Sequence, residues 1–290
     1  MREREEFKVN RTPGAYTVET ALQVMSTPPL AITALNNVLG TSPIDLLQLG
    51  RVGRSHPAAA TQILKLCNSS IFCLSHPVSN LEQAVVSLGA EVLRTLGLAW
   101  GLVEVAGKYL PPVQAQAFWQ HGLTLALVSE RIAERMDYPV AEAYLAGFLH
   151  DIGRVPILMA AAPEKHRAVI DLTGLSESPE IEVGEFGVDH CELGRRIGVA
   201  WGFSEPFVEV FSRHHGETAE ETELVRIVSA AERFCSRQAT VTGSEDNTCL
   251  PDLEIAEGMS LAEVLEFEFL QAAQRLNLGA SRNFSPALQG

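Results

Sequence analysis

The sequence predicts an all-α protein. Apolar residues recur at intervals of three and four almost throughout, strand-like alternation is scarce, and the periodic stretches are separated by caps, glycines and prolines. With 290 residues, 46% hydrophobic and 20% charged, the chain can bury a sizeable core, which excludes wholesale disorder.

Taken in order, Leu30, Leu35, Val38 and Leu39 mark a first helix that ends at Gly40. Thr41-Ser42-Pro43 then reads as cap and early proline for a short helix through Leu46, Leu47 and Leu49, closed by Gly50 and Gly53. From Pro57, Ile63, Leu64 and Cys67 share one side of a third helix, and Asn68 at its close is expected to bond backbone groups at that helix end. Ser79 with Glu82 forms a capping box for a helix through Val85 and Leu88 that Gly89 ends. Residues 91–107 make a long apolar helix, and Pro111-Pro112 after it marks a boundary between two lobes. The expected division is a tail at 1–16, a first lobe at 17–110, a second at 113–278 and a tail at 279–290.

The second lobe opens with a helix carrying Phe118, Leu123, Leu125, Ala126 and Ile132. Val140 to Gly153 is expected as the next helix, with Pro156 just beyond it. Asp189 to Trp201 is amphipathic, Pro206 opens a helix running into His214 and His215, and Leu224 to Arg237 forms another. Residues 238–258 read as a loop, and Ser260 with Glu263 caps a last helix. Trp201, Phe203 and Phe207, at helical spacing, are expected in the core.

Lysine and arginine number 22 against 36 aspartates and glutamates, a net charge of −14. Such a field repels phosphate backbones, so nucleic acid is not an expected partner. Glu91, Arg94 and Glu104 interrupt the most hydrophobic stretch, leaving no run near the ~18 apolar residues of a membrane span; neither is a membrane expected. The charged N-terminus has no apolar segment behind it, which points to the cytoplasm. Cys67, Cys73, Cys191, Cys235 and Cys249 contain no CxxC pair, which argues for reduced thiols and against a thiolate zinc site. No glycine-rich nucleotide loop or GxSxG elbow is present.

The eight histidines are distributed informatively. His121, His150 beside Asp151, His190, and His214-His215 lie on four helices of one expected bundle, the way bundle interiors assemble metal sites from facing side chains. Imidazole with carboxylate suits iron, manganese or zinc, whose natural chemistry with phosphate esters is hydrolysis. His150 and Asp151, as helical neighbours, point about 100° apart and share an ion only at the edge of their helix. His56, His76 and His166 are expected to have structural parts only.

Two segments resemble the HDOD domain, a bacterial signalling module related to the HD metal-dependent phosphohydrolases. The first is His56-Pro57 with ILKLCNSSIF and HPVSNLEQAVVSLG, in which Asn68-Ser69 and Leu88-Gly89 correspond to the family's NS and LG pairs. The second is AGFLHDIG, followed by His190, Gly194, Trp201, Pro206, His214 and His215. The resemblance runs from about residue 22 to 236. It implies a smaller helical bundle packed on an HD-like one, with metal ligands at His121, His150, Asp151, His190, His214 and His215. It departs at Glu232, where the family carries aspartate, at His56, again in place of aspartate, and after His215, where no GYP segment follows. Glu232 therefore enters the ligand set one methylene longer.

These observations imply a regulatory protein that binds a signalling protein or a small ligand without turnover, its HD-like site holding a divalent metal or none. The alternative is a metal-dependent phosphohydrolase acting on a nucleotide, with Asp151 catalytic. The oligomeric state stays open.

Overall fold

The computed structural model describes residues 16–72, 74–110, 112–161, 179–215 and 222–242, and every regular element among them is helical. The first helix, α1 (Val18–Met25), precedes the one expected at Leu30; Thr17 and Thr20 cap it reciprocally, and Ala21, Leu22 and Met25 are buried. The spacing of those three already carries the helical period. α2 (Leu30–Leu39) ends at Gly40 as expected. α3 (Leu46–Ser55) starts later than Thr41-Ser42-Pro43 suggests, because its cap is Asp45, whose carboxylate accepts the Gln48 N–H at 3.0 Å. Nor does it close at Gly50 or Gly53: a Cβ at Gly50 would lie against the Glu82 carboxylate, and one at Gly53 would sit 3.4 Å from Leu81. These glycines admit a neighbouring helix rather than ending their own.

α4 (Pro57–Cys67) buries Ile63 and Cys67, and burial pushes the Cys67 thiol up to about 12, so it behaves as a small apolar core residue. Asn68 does bond backbone, but ten residues on: its amide donates to the Val78 carbonyl and its carbonyl accepts the Val78 N–H, both at 2.8 Å. That clasp leads into α5 (Leu81–Leu88), capped by Asn80 through the Gln83 N–H. The expected cap Ser79 is one residue too early and bonds the Gln83 side chain instead.

α6 (Ala90–Tyr109) and α7 (Pro112–Met136) are the long helices of the fold. α8 (Val140–Leu149) stops short of the expected Gly153. After a turn α9 (Arg154–Ala160) begins, and Pro156 lies inside its first turn, where a missing N–H breaks no helical bond. Then come α10 (Pro179–Phe186), α11 (His190–Trp201) capped by Asp189, α12 (Glu205–Arg213) and α13 (Glu223–Thr242). α13 continues to Thr242, overriding the first residues of the expected 238–258 loop. The remainder of that stretch, the helix expected after Ser260, both expected tails except Tyr16, His166, Cys73 and Cys249 lie outside the described residues.

One apolar core runs from α1 and α2 through α6 to α11 and α12. Trp201 joins its ends, since its ring is buried and Nε1 donates to the Met25 carbonyl at 2.6 Å. Phe203 and Phe207 are buried beside it, as expected. Arg94 of α6 adds a bond to the Gly202 carbonyl at 2.7 Å. α7 packs along α8 and α13, while α11 packs on α9 and α12. The site is set where these six helices meet. No helix among the described residues is long and apolar enough to cross a membrane.

Candidate metal centre

The centre is built on helix ends. Because α8 ends at Leu149, His150 and Asp151 occupy a turn rather than successive positions of a regular helix. Both side chains reach the same interior space, with His150 Nε2 3.5 Å from Asp151 Oδ2. His150 keeps helical dihedrals, φ −48° and ψ −39°, so the pair meets the interior at the edge where the helix ends. His121 arrives from α7 at a tight crossing, where Gly122 lies so close to the Phe148 carbonyl of α8 that a Cβ would stand 2.6 Å away. His190 is the first residue of α11, His214 caps the end of α12, and Glu232 comes from α13.

Asp151 lies between two groups. Its Oδ2 is 3.5 Å from the Nε2 atoms of His121 and His150, and Glu232 Oε2 closes that side at 3.8 and 3.5 Å from the same two nitrogens. Its Oδ1 is 3.4 Å from His190 Nε2 and 3.3 Å from His214 Nε2, and His215 Nε2 lies 2.9 Å from that of His190. All seven residues singled out in the sequence are thus brought together. Glu232 does so across its extra methylene. His56, between α3 and α4, and His76, beside Ser75, join none of these groups.

The rings are oriented from behind. His150 Nδ1 faces the Gly147 carbonyl at 2.7 Å, His214 Nδ1 the Val210 carbonyl at 2.9 Å, and His190 Nδ1 the Glu182 carboxylate at 2.6 Å. Each acceptor assigns a ring proton to Nδ1, so that the neutral ring turns an Nε2 lone pair inward. His190 and His214 then oppose lone pairs at 3.3 Å, an arrangement that a cation between them relieves. Among the described residues, His150 Nε2, Asp151 Oδ1 and Glu232 Oε2 are buried without a hydrogen-bond partner. Orphaned inward atoms of this kind and the donor set itself fit a divalent metal.

Charge agrees with that fit. Burial opposes ionisation of Asp151, but Arg154 and His150 outweigh it and hold the carboxyl well below its usual range. Burial likewise opposes ionisation of Glu232, and the close approach of His150 together with the charges of His121 and His150 lowers it. His150, despite burial, is pushed up to about 10 by Asp151 and Glu232, so a proton serves as the local cation that a metal displaces. Burial and Arg154 lower His190, and burial with His214 lowers His215 to about 3; both present neutral nitrogens.

Two participants were not found in the sequence. Arg154 Nε makes an ion pair with Asp151 Oδ2 at 2.9 Å, and its spacing three residues after the aspartate was the available signal. Glu182 is fully buried and also accepts the His190 backbone N–H at 2.7 Å. Nothing in the sequence announced it, since its neighbours Glu180 and Glu185 make that helix read as a solvated face. Glu182→Gln is expected to weaken metal binding about 10–100-fold by loosening the tautomer of His190; isothermal titration with manganese or zinc measures it, and an unchanged affinity removes Glu182 from the site.

The HDOD domain family model matches residues 25–217. The fold is similar to that of an HDOD domain protein from Geobacter sulfurreducens, at 21% identity and a TM-score of 0.55, covering 89% of this chain and 96% of that one. It is also similar to a protein of Shewanella amazonensis SB2B provisionally named a phosphohydrolase, at 20% identity and a TM-score of 0.58, covering 90% and 97% of the two chains. An uncharacterized protein of Treponema pallidum (strain Nichols) is 20% identical over 216 residues, 72% of this chain and 41% of its own length. The chain thus spans about two fifths of that curated relative. With the family match extending from Met25 past His214 and His215 of the histidine cluster, the chain belongs to the HDOD domain family.

Proposed function

We propose that this chain is a regulatory HDOD module whose HD-like bundle holds divalent metal around Asp151 and whose output is the binding of a signalling protein or a small ligand. The observation that carries the metal is the convergence of inward Nε2 atoms and two carboxylates, each ring fixed by an acceptor at Nδ1. Iron, manganese and zinc all suit that donor set. A regulatory output is supported by closure. His150, His190 and His214 have no exposed side-chain surface, Asp151 only 5%, and Glu232 and His121 12% and 14%, so among the described residues most of the ligand atoms are closed to a phosphate ester.

A second reading, a metal-dependent phosphohydrolase, is favoured by one specific feature. Asp151 offers one oxygen to each ligand group and Glu232 completes one of them. Bound ions there would supply Lewis acidity and an activated water. The name given to the Shewanella protein belongs to this reading. Elemental analysis of the purified chain, with a phosphodiesterase assay in added manganese or iron, separates the two. Metal retained without turnover is the expected result. Metal-dependent hydrolysis of a cyclic dinucleotide or a phosphomonoester installs the second reading, and a protein that takes up no metal after reconstitution overturns both.

A further inference from the structure

Cys191, beside His190 at the start of α11, is the one donor at the centre that neither the carboxylates nor the imidazoles account for. Its Sγ lies 3.6 Å from His190 Nε2, and the ligand atoms of Cys191, His190, His214 and His215 all fall within 4.8 Å of one another. Zinc bonds nitrogen at about 2.0–2.1 Å and sulfur at about 2.3 Å in a tetrahedron. Those lengths make the nitrogen–nitrogen edge of the tetrahedron about 3.3–3.4 Å and the sulfur–nitrogen edge about 3.6 Å. The structure has 3.3 Å between His190 and His214 Nε2 and 3.6 Å from Cys191 Sγ to His190 Nε2. His215 Nε2, at 2.9 Å from His190, is somewhat closer than the edge, and of the four it is the residue with the most exposed surface.

We propose that Cys191 is a metal ligand, completing with His190, His214 and His215 a four-coordinate position that selects zinc over manganese. This rests on the reading of the cluster as a metal centre and extends it to the identity of the ion on the Oδ1 side of Asp151. Thiolate is a soft donor that suits zinc and not the harder manganese ion. On binding, the metal–sulfur bond forms as the S–H bond breaks, and the proton leaves to solvent. Four protein ligands close the position, which is the pattern of structural zinc; catalytic sites keep one position for water. A closed ion on this side is in keeping with regulation. The absence of a CxxC pair argued against thiolate coordination, but that search looks for neighbours in sequence, whereas the three imidazoles come to Cys191 from the start of α11 and the end of α12.

Cobalt reports the donor directly, because a bound thiolate gives a near-ultraviolet charge-transfer band that imidazole and carboxylate do not. The full chain, stripped with a chelator and reloaded with cobalt, is expected to show that band, to lose it on zinc addition, and to lack it as Cys191→Ser and as Cys191→Ala. Zinc affinity of both variants should fall at least about tenfold while manganese affinity holds, with circular dichroism confirming that the helices are intact. Cobalt bound without the band, or a band persisting in the variants, overturns the cysteine ligand and leaves the metal centre standing. A chain that binds neither cobalt, zinc nor manganese overturns the centre itself.

Discussion

Gly153→Ala is expected to lower the melting temperature by about 6–12 °C, the largest loss of stability from any single methyl group added near the site. Backbone conformation is not the cause. Gly153 precedes α9 with φ −67° and ψ −16°, which alanine adopts freely. Space is the cause, because a Cβ there would overlap the His190 carbonyl oxygen and the Gly194 nitrogen. Both are backbone atoms of α11 and cannot rotate aside. α9 and α11 would have to part, which places the change at or beyond the top of the usual overpacking range, about 3 kcal/mol. His190 moves with α11, so metal retention should fall as well. Gly107→Ala is the control: it lies inside α6 with nothing within 4 Å of the added carbon, and it is expected to stabilise by about 0.5–1 kcal/mol. Thermal denaturation followed by circular dichroism measures both. A Gly153→Ala protein that melts with the parent would mean that the two helices do not cross this closely.

The same glycines show where sequence reasoning stops. Periodicity located α2, α4 and α6 because each buries one continuous stripe, as Ile32, Leu35 and Leu39 do in α2. It misplaced ends wherever a glycine served an approach between helices. Gly50 reads as a stop but admits α5, and Gly153 reads as a helix end but admits α11. Caps slipped by one residue for a related reason, since Ser79 and Asn80 are both good caps and only the geometry gives the Gln83 N–H to Asn80. For the site, four histidine-bearing helices and the family resemblance identified the five histidines and Glu232 that meet around Asp151. What they could not supply was the support. Glu182 reaches His190 from a separate helix, a relation between distant elements that leaves no local pattern. The longer carboxylate at Glu232 looked like a defect against the family's aspartate, yet it stands 3.5 Å from His150 Nε2. Side-chain length is judged only against a backbone position, and the backbone of α13 is where the sequence is silent.

Asp151→Asn should abolish stabilisation by manganese and weaken that by zinc, while leaving the metal-free fold largely intact. Among the described residues Asp151 alone offers an oxygen toward both ligand groups, so its replacement removes a negative ligand from the Oδ2 side and a facing negative charge from the closed position beside Cys191. In the metal-free protein the change is milder. Truncating one partner of a buried ion pair costs about 3–5 kcal/mol because the other charge is stranded. Asparagine keeps the volume and one carbonyl oxygen for Arg154, and Glu182 and Glu232 still act on that guanidinium. The loss for the metal-free variant should therefore fall below that range. With manganese present at about 100 times its dissociation constant, the parent gains about 2.7 kcal/mol, and the variant at the same concentration gains none. Melting curves of both proteins, stripped and then titrated with zinc and with manganese, give the four numbers required. Equal metal-dependent shifts in parent and variant would show that the ions, if bound, are held elsewhere. A stripped variant that fails to fold would instead make Asp151 an obligatory partner of Arg154, with the carboxylate serving the bundle before it serves any ion.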